Sequence, residues 1–285
     1  YGIVYILNLT RGKKTIDILY WKNAIRFNLP LIPHYLSSTI MTQSDRVLIN
    51  VLCSTAYAGI YSIATNVISI MSVVTVSINQ AVTPWVYEKL ERREMKEIGE
   101  SVYKIVSLVG VGFILTSFIT PEIIGILAPK AYVNAVWATP PLLIGMFMYF
   151  IYCNFGNIEI YFHKQKSMLF SSVLVAIINV ILSYFMIEKW GFIAASYATM
   201  ISYYIYAGLH YYFMSKVCKE RNVDNPFKLS IIIIGSTIFS ALIMAPMVLY
   251  QTIILRYIIF TVICVSCIIW TIKKKKMLIA FISKN

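Results

Sequence analysis

Between Leu29 and Gln80 the chain is apolar enough, and long enough, to cross a membrane twice, yet it carries the consecutive pair Asp45 and Arg46. A charge within a membrane-length apolar segment costs roughly 3 kcal/mol on insertion scales, so such side chains turn toward a bundle interior or a water-filled cavity. At helical spacing His34, Ser38, Thr42 and Asp45 recur every three or four residues, and Ser62, Asn66, Ser69, Ser72, Asn79 and Gln80 follow in the next segment. An apolar helix with one polar stripe turns that stripe away from lipid, and two such helices joined by a short turn can line one cleft. The stripes can be read as interhelical glue or as a cavity wall. Glue and packing leave the adjacent Asp45 and Arg46 unexplained, which favours the cavity.

Further candidates lie in later apolar runs. Asn154, Gly156, Asn157 and Glu159 interrupt YFIYCNFGNIEIYFHKQ, and Asn179 sits within VLVAIINVILSYF. Glu159 has two readings: a cleft residue, or a carboxylate snorkelling to the interface about one turn from His163. In GFIAASYATMISYYIYAGLHYYF, small residues at 194, 195, 196, 198 and 202 permit close helix contact, while Tyr197 and Tyr204, seven apart, are placed to stack on sugar rings. No cluster has metal-ligand spacing or the makings of a catalytic centre. The five cysteines are scattered, and the pair Cys264 and Cys267 lies in an apolar run, so they read as small hydrophobes.

The elements that must position these residues follow from composition. With 59% hydrophobic and 13% charged residues and a mean hydropathy of +0.74, the natural solvent of the chain is lipid. The formal charge of +13 would suggest nucleic acid in a soluble protein, but here it reads as the positive bias of cytoplasmic loops. The pattern predicts an all-α polytopic membrane protein with eight full transmembrane helices, at about 27 to 51, 57 to 85, 102 to 127, 136 to 162, 167 to 187, 192 to 214, 229 to 250 and 252 to 272, plus the end of a ninth at residues 1 to 9. Residues 10 to 26 read as a polar interfacial segment, and YEKLERREMKEIGESVYK as a charged helical connector. Alternating the loops puts 21 of the 25 Lys and Arg on the side of residues 10 to 26, with three opposite and Arg46 within a span. That asymmetry places residues 10 to 26 and the C-terminus in the cytoplasm.

Three stretches carry a family resemblance: LPLIPHYLSSTIMTQSDRVLIN with AGIYSIATN; the hairpin PEIIGILAPKAYVNA; and AIINVILSYFMIEKWGFIAASYATMIS. They resemble the polysaccharide-export flippases of the MATE-like superfamily, which move O-antigen, capsule or teichuronic-type repeat units. The resemblance covers most of residues 1 to 216. It implies two six-helix lobes around a central cavity followed by two appended helices. On that scheme residues 1 to 26 hold the end of a transmembrane helix and the cytoplasmic inter-lobe segment, 27 to 216 the second six-helix lobe, and 217 to 285 the appended pair with a basic tail. The expected partners are a lipid-linked oligosaccharide, membrane lipids, the N-terminal lobe of the same protein and other polysaccharide assembly proteins, with no nucleic acid and no cofactor.

The resemblance implies transport of a polyprenyl-pyrophosphate oligosaccharide across the bacterial cytoplasmic membrane by alternating access, a mechanism in which two bodies rock about a shared site. Arg26 and Arg46 can supply guanidinium forks to a pyrophosphate; for Arg26 the competing reading is ordinary positive-inside anchoring. Asp45 and Arg46, consecutive on a helix, point about 100 degrees apart and are expected to act separately. Two other classes compete. A membrane glycan polymerase needs a large extracytoplasmic loop that this sequence lacks, and a cation-coupled small-molecule exporter of the same superfamily needs carboxylates deep in several spans, for which Asp45 and Glu159 are the candidates. On the two-lobe reading this chain by itself is not expected to translocate anything.

Overall fold

The computed structural model describes residues 17–29 and 31–273, and all the regular structure in them is helical. In chain order the helices are α1 (Ile18–Asn28), α2 (Leu31–Leu52), α3 (Thr55–Glu91), α4 (Met95–Phe118), α5 (Thr120–Leu127), α6 (Ala135–Tyr161), α7 (Gln165–Trp190), α8 (Ala194–Glu220), α9 (Leu229–Met244) and α10 (Ile253–Lys273). Short 3-10 turns occupy Lys130–Tyr132 and Ala245–Leu249. The span expected at residues 1 to 9 lies outside the described residues.

Among the described residues five segments are long and apolar enough to cross a membrane: α3, α4, α6, α7 and Leu229–Leu249, with a shorter apolar helix at Ile253–Ile269. The chain is a multi-pass membrane protein. At 22 and 27 residues, α2 and α8 match a bilayer in length but are less apolar, because both carry the polar side chains that meet inside the bundle. α3, at 37 residues, runs about 55 Å and so outreaches the roughly 30 Å hydrocarbon layer. Its charged last turn, with Glu88 and Lys89, belongs to that overhang.

Two expected elements are broken. The charged connector after α3 is not one helix: Arg93 takes a left-handed conformation (φ 57), the Glu94 N–H bonds back to the Lys89 carbonyl at 2.9 Å, and α4 begins anew at Met95. This is a Schellman stop. The same device, with left-handed His163 and Asn222, ends α6 and α8. The span expected at 102 to 127 divides at Ile119, where α4 stops and α5 starts with Pro121 in its first turn. Proline is preset for a helix start and lacks the N–H that would continue the preceding one.

α6 is the central helix, with most of its side chains buried. Neighbouring contacts run α6 to α8, α8 to α7, α7 to α2, α2 to α3 and α3 back to α6, so five helices close a ring. α4 and α9 pack on the far side of α6. Their close approach depends on glycine: a β-carbon on Gly99 would lie 2.1 Å from the Pro226 carbonyl oxygen, and one on Gly110 2.5 Å from the Phe239 ring. The Lys228 N–H bonds to the Tyr103 hydroxyl at 2.7 Å, and Ser117 Oγ donates to the Ile243 carbonyl at 2.7 Å, so this seam is held at both ends of α4.

Ring contacts and ion pairs gather at the ends of the helices. At one end Tyr57 stacks on Phe192 at 4.9 Å and Trp137 meets Tyr250 at 5.8 Å. At the other end Lys89 pairs with Glu94 and Glu97, and Lys164 with Glu220.

Candidate functional site

The five-helix ring encloses a buried carboxylate. Asp45, on α2, is 2% exposed and accepts three hydroxyl hydrogen bonds: Tyr61 of α3 to Oδ2 at 2.7 Å, Thr199 of α8 to Oδ2 at 2.5 Å, and Ser183 of α7 to Oδ1 at 2.7 Å. Behind it Asn179 accepts from Ser44 and donates to Thr199 and Ser202, each at 3.3 Å. Four helices therefore meet on one acid. The donors sit on faces that pack closely because their neighbours are small: Ala195 and Ala198 flank Ser196, Thr199 and Ser202 on α8.

Beside this network opens a cavity of about 250 Å³. Thr42, Gln43, Asp45 and Arg46 line it from α2, Tyr61, Thr65, Ser69 and Ser72 from α3, Thr199 and Tyr203 from α8, and Leu142 and Met146 close it from α6. Asp45 and Arg46 turn to different partners, as their 100 degree offset requires: the carboxylate accepts from Tyr61, Ser183 and Thr199, while the guanidinium donates to Thr65 of α3. Arg46 Nε is buried without a hydrogen-bond partner. Serines along α3 return their hydroxyls to the helix backbone, Ser69 to Thr65 and Ser72 to Ser69, which presents polar oxygen to the cavity without unmet donors. An acid held by three hydroxyls can take a proton or a hard cation through oxygen, and a guanidinium suits a phosphate or carboxylate. Among the described residues no group of three or more His, Cys, Asp or Glu could hold a metal ion.

The other candidates from the sequence disperse. Asp45 and Arg46 line the cavity, and Asn179 joins the hydrogen-bond network behind Asp45. Asn157 donates to Asn79 at 3.0 Å, joining α6 to α3, whereas Asn66 and Gln80 are exposed. Thirteen residues separate Asn66 from Asn79, which turns them about 140 degrees apart, so the α3 stripe does not keep to one face. Asn154 bonds its own helix at Phe150 and borders an apolar groove with Phe147, Phe155 and Phe239. Glu159 does not snorkel to the interface; it is fully buried against His210 at 2.6 Å. Tyr204 bonds Ser240 of α9 at 2.5 Å and Tyr197 is half-buried, while Tyr203, one residue away, is the tyrosine of α8 that lines the cavity. Arg26 is exposed in the last turn of α1, two residues from its end and not at the start of α2. The side chain of His34 lies outside the described residues.

Sequence reasoning missed Tyr61, Thr65, Ser183, Thr199 and His210, and an ion pair in which Arg256, 2% exposed, donates to Glu122 beneath Tyr257. The available signal was the four-residue step from Asn179 to Ser183, which puts two polar groups on one face of an otherwise apolar α7. Arg256 and Glu122 fasten α10 to α5 at the end opposite the Lys89 cluster.

Asp45, Arg46, Tyr61 and Thr65 lie within the segment that a family model matches. Residues 1–90 match the family model of polysaccharide biosynthesis proteins. The chain is also similar to protein 1 of the Lsg locus of Haemophilus influenzae, 27% identical over 197 residues that cover 64% of this chain and 44% of that protein. The chain thus spans less than half the length of this curated relative. No solved structure matches it significantly.

Proposed function

We propose that this chain supplies the second lobe of a flippase that moves a polyprenyl-pyrophosphate-linked oligosaccharide across the bacterial cytoplasmic membrane by alternating access. In this reading α2 to α8 form the lobe, Leu229–Leu249 and α10 are the appended pair, eight helices cross the bilayer, and the C-terminus is cytoplasmic. The observation that carries it is the cavity at Asp45 and Arg46: a polar chamber inside an apolar bundle, on the α2 and α3 segment where the family match lies. Arg46 lines that chamber, and its guanidinium, with Nε unpartnered, suits an anionic headgroup. Exposed residues of α2 and α3, Asn66 among them, would face the opposing lobe, since rocking transporters place the substrate between two bodies.

The test is export in the organism's own background. Deleting the gene should abolish surface polysaccharide and leave its lipid-linked repeat unit on the cytoplasmic leaflet. Arg46→Ala at normal membrane abundance should reproduce that defect, and wild-type export by this variant would overturn the reading. A cation-coupled exporter is the second reading, favoured by two fully or nearly buried carboxylates, Asp45 and Glu159, on different helices. It predicts resistance to small cationic compounds in place of a glycan phenotype.

A further inference from the structure

The contact between α6 and α8, the most extensive in the bundle, contains an acid and a base that the cavity does not use. Glu159 Oε1 lies 2.6 Å from His210 Nδ1, and both side chains are fully buried. The opposite atoms, Glu159 Oε2 and His210 Nε2, have no hydrogen-bond partner. Tyr152 of α6 stacks on the imidazole at 4.8 Å, and Tyr206 of α8 meets it edge-on at 4.7 Å. Two ionisable groups are therefore sealed between aromatic rings one turn from the end of α6, with half of their polar capacity unmet.

Apolar packing would serve this position better if its role were only to hold two helices together. Removing a carboxylate and an imidazole from water is costly, and a buried ionic pair is commonly no more stabilising than a well-packed apolar one. Among the described residues the neighbours give the pair no second ion. α3 brings Asn79 to Asn157 and Tyr87 to Tyr161, α7 brings the Met168 methyl to 3.8 Å from where a β-carbon on Gly156 would lie, and the residues before α9 bring Phe227 to Phe155, with Tyr103 of α4 against Phe227. The Lys164–Glu220 ion pair closes the loop end beyond. Its members satisfy each other.

We propose that Glu159 and His210 form a proton-binding site, which takes up and releases one proton and thereby sets the contact between α6 and α8. With the proton bound, the carboxyl and imidazole are together neutral, whichever atom of the hydrogen bond carries it. When it leaves, imidazole and carboxylate remain with one net negative charge in an apolar surround that offers no cation to balance it. The cost of that charge falls if α8 moves from α6 and admits water, so protonation favours the packed arrangement and deprotonation the opened one. Proton occupancy is thereby linked to the packing of the central helix, which is what a proton-driven transporter requires of its lobe. The site stands on the packing of α6 and α8 and goes beyond the flippase reading, whose failure would leave it intact.

The experiment uses the purified chain in lipid nanodiscs, with infrared difference spectra recorded as pH is stepped across about 5 to 8, the range in which histidine changes charge. A protonated-carboxyl or imidazolium band should titrate, shift in heavy water, and disappear in Glu159→Gln. In His210→Gln the carboxyl should titrate alone, with its midpoint moved by about tenfold in proton concentration or more. An unchanged band in Glu159→Gln, or no titration in the wild type, overturns the site. If either variant does not fold, nitrogen-15 histidine spectra of the wild type decide: one imidazole with slow solvent exchange should change protonation state, assigned by substituting His34 and His163. Three freely exchanging imidazoles overturn the proposal.

Discussion

Ser183 Oγ donates to Asp45 Oδ1 across 2.7 Å, joining α7 to α2 over 138 residues of sequence. With Tyr61 and Thr199 on the other oxygen, the acid ties four helices at one point. Asp45→Ala should leave three buried hydroxyls without their acceptor, at about 1 to 3 kcal/mol for each group that finds no other partner. Asp45→Asn keeps an acceptor oxygen and should destabilise less, while removing the negative charge. Ser183→Ala, which deletes one donor only, is expected to cost about 1 kcal/mol. Thermal unfolding in detergent should rank the three in that order, Asp45→Ala lowest.

Gly99 meets the chain at Pro226, where a β-carbon would fall 2.1 Å from a backbone carbonyl oxygen. Gly99→Ala must push that strand of backbone away, and overpacking of this kind costs about 1 to 3 kcal/mol. The loss should be local: a cysteine pair placed at 103 and 228 should crosslink in the wild-type background and fail to do so with Gly99→Ala. Equal crosslinking would show that the segment before α9 adapts without leaving α4.

Glu94, in the turn after α3, has its carboxyl held below the usual range, chiefly by its hydrogen bond to Lys89. A lowered folded-state value means that the unfolded chain binds this proton more readily, so the contribution is complete above the ordinary glutamate value near 4.3 and is lost as pH falls through the lower one. The difference in melting temperature between the wild type and Lys89→Met should therefore be present at pH 7 and close in acid below about pH 4. A constant difference would mean that the Lys89 stem, not its charge, stabilises the turn.

The excess of Lys and Arg on alternate turns predicts sidedness. In a cysteine-free background, single cysteines at Ala56, Lys130, Lys189 and Gln251, all exposed, should react with an impermeant reagent from outside. Those at Arg93, Lys166 and Glu220, also exposed, should react only after permeabilisation. Outside labelling at Arg93 would reverse the assignment.

Residue types alone decided that the chain lives in lipid, because apolar length is summed along the sequence and needs no partner. They also decided that Asp45 faces inward, since the alternative is a charge in hydrocarbon. What Asp45 meets was not legible. Tyr61, Ser183 and Thr199 are unremarkable polar residues on three other helices, and only the closing of the ring brings their hydroxyls to one carboxylate. Glu159 shows the same limit more sharply: its sequence neighbour His163 suggested the interface, but the rotation of α6 against α8 hands it to His210, 51 residues away. Helical spacing states which residues of one helix share a face. Which face of which other helix it meets depends on how all the side chains between them pack, and that is settled only in the assembled bundle.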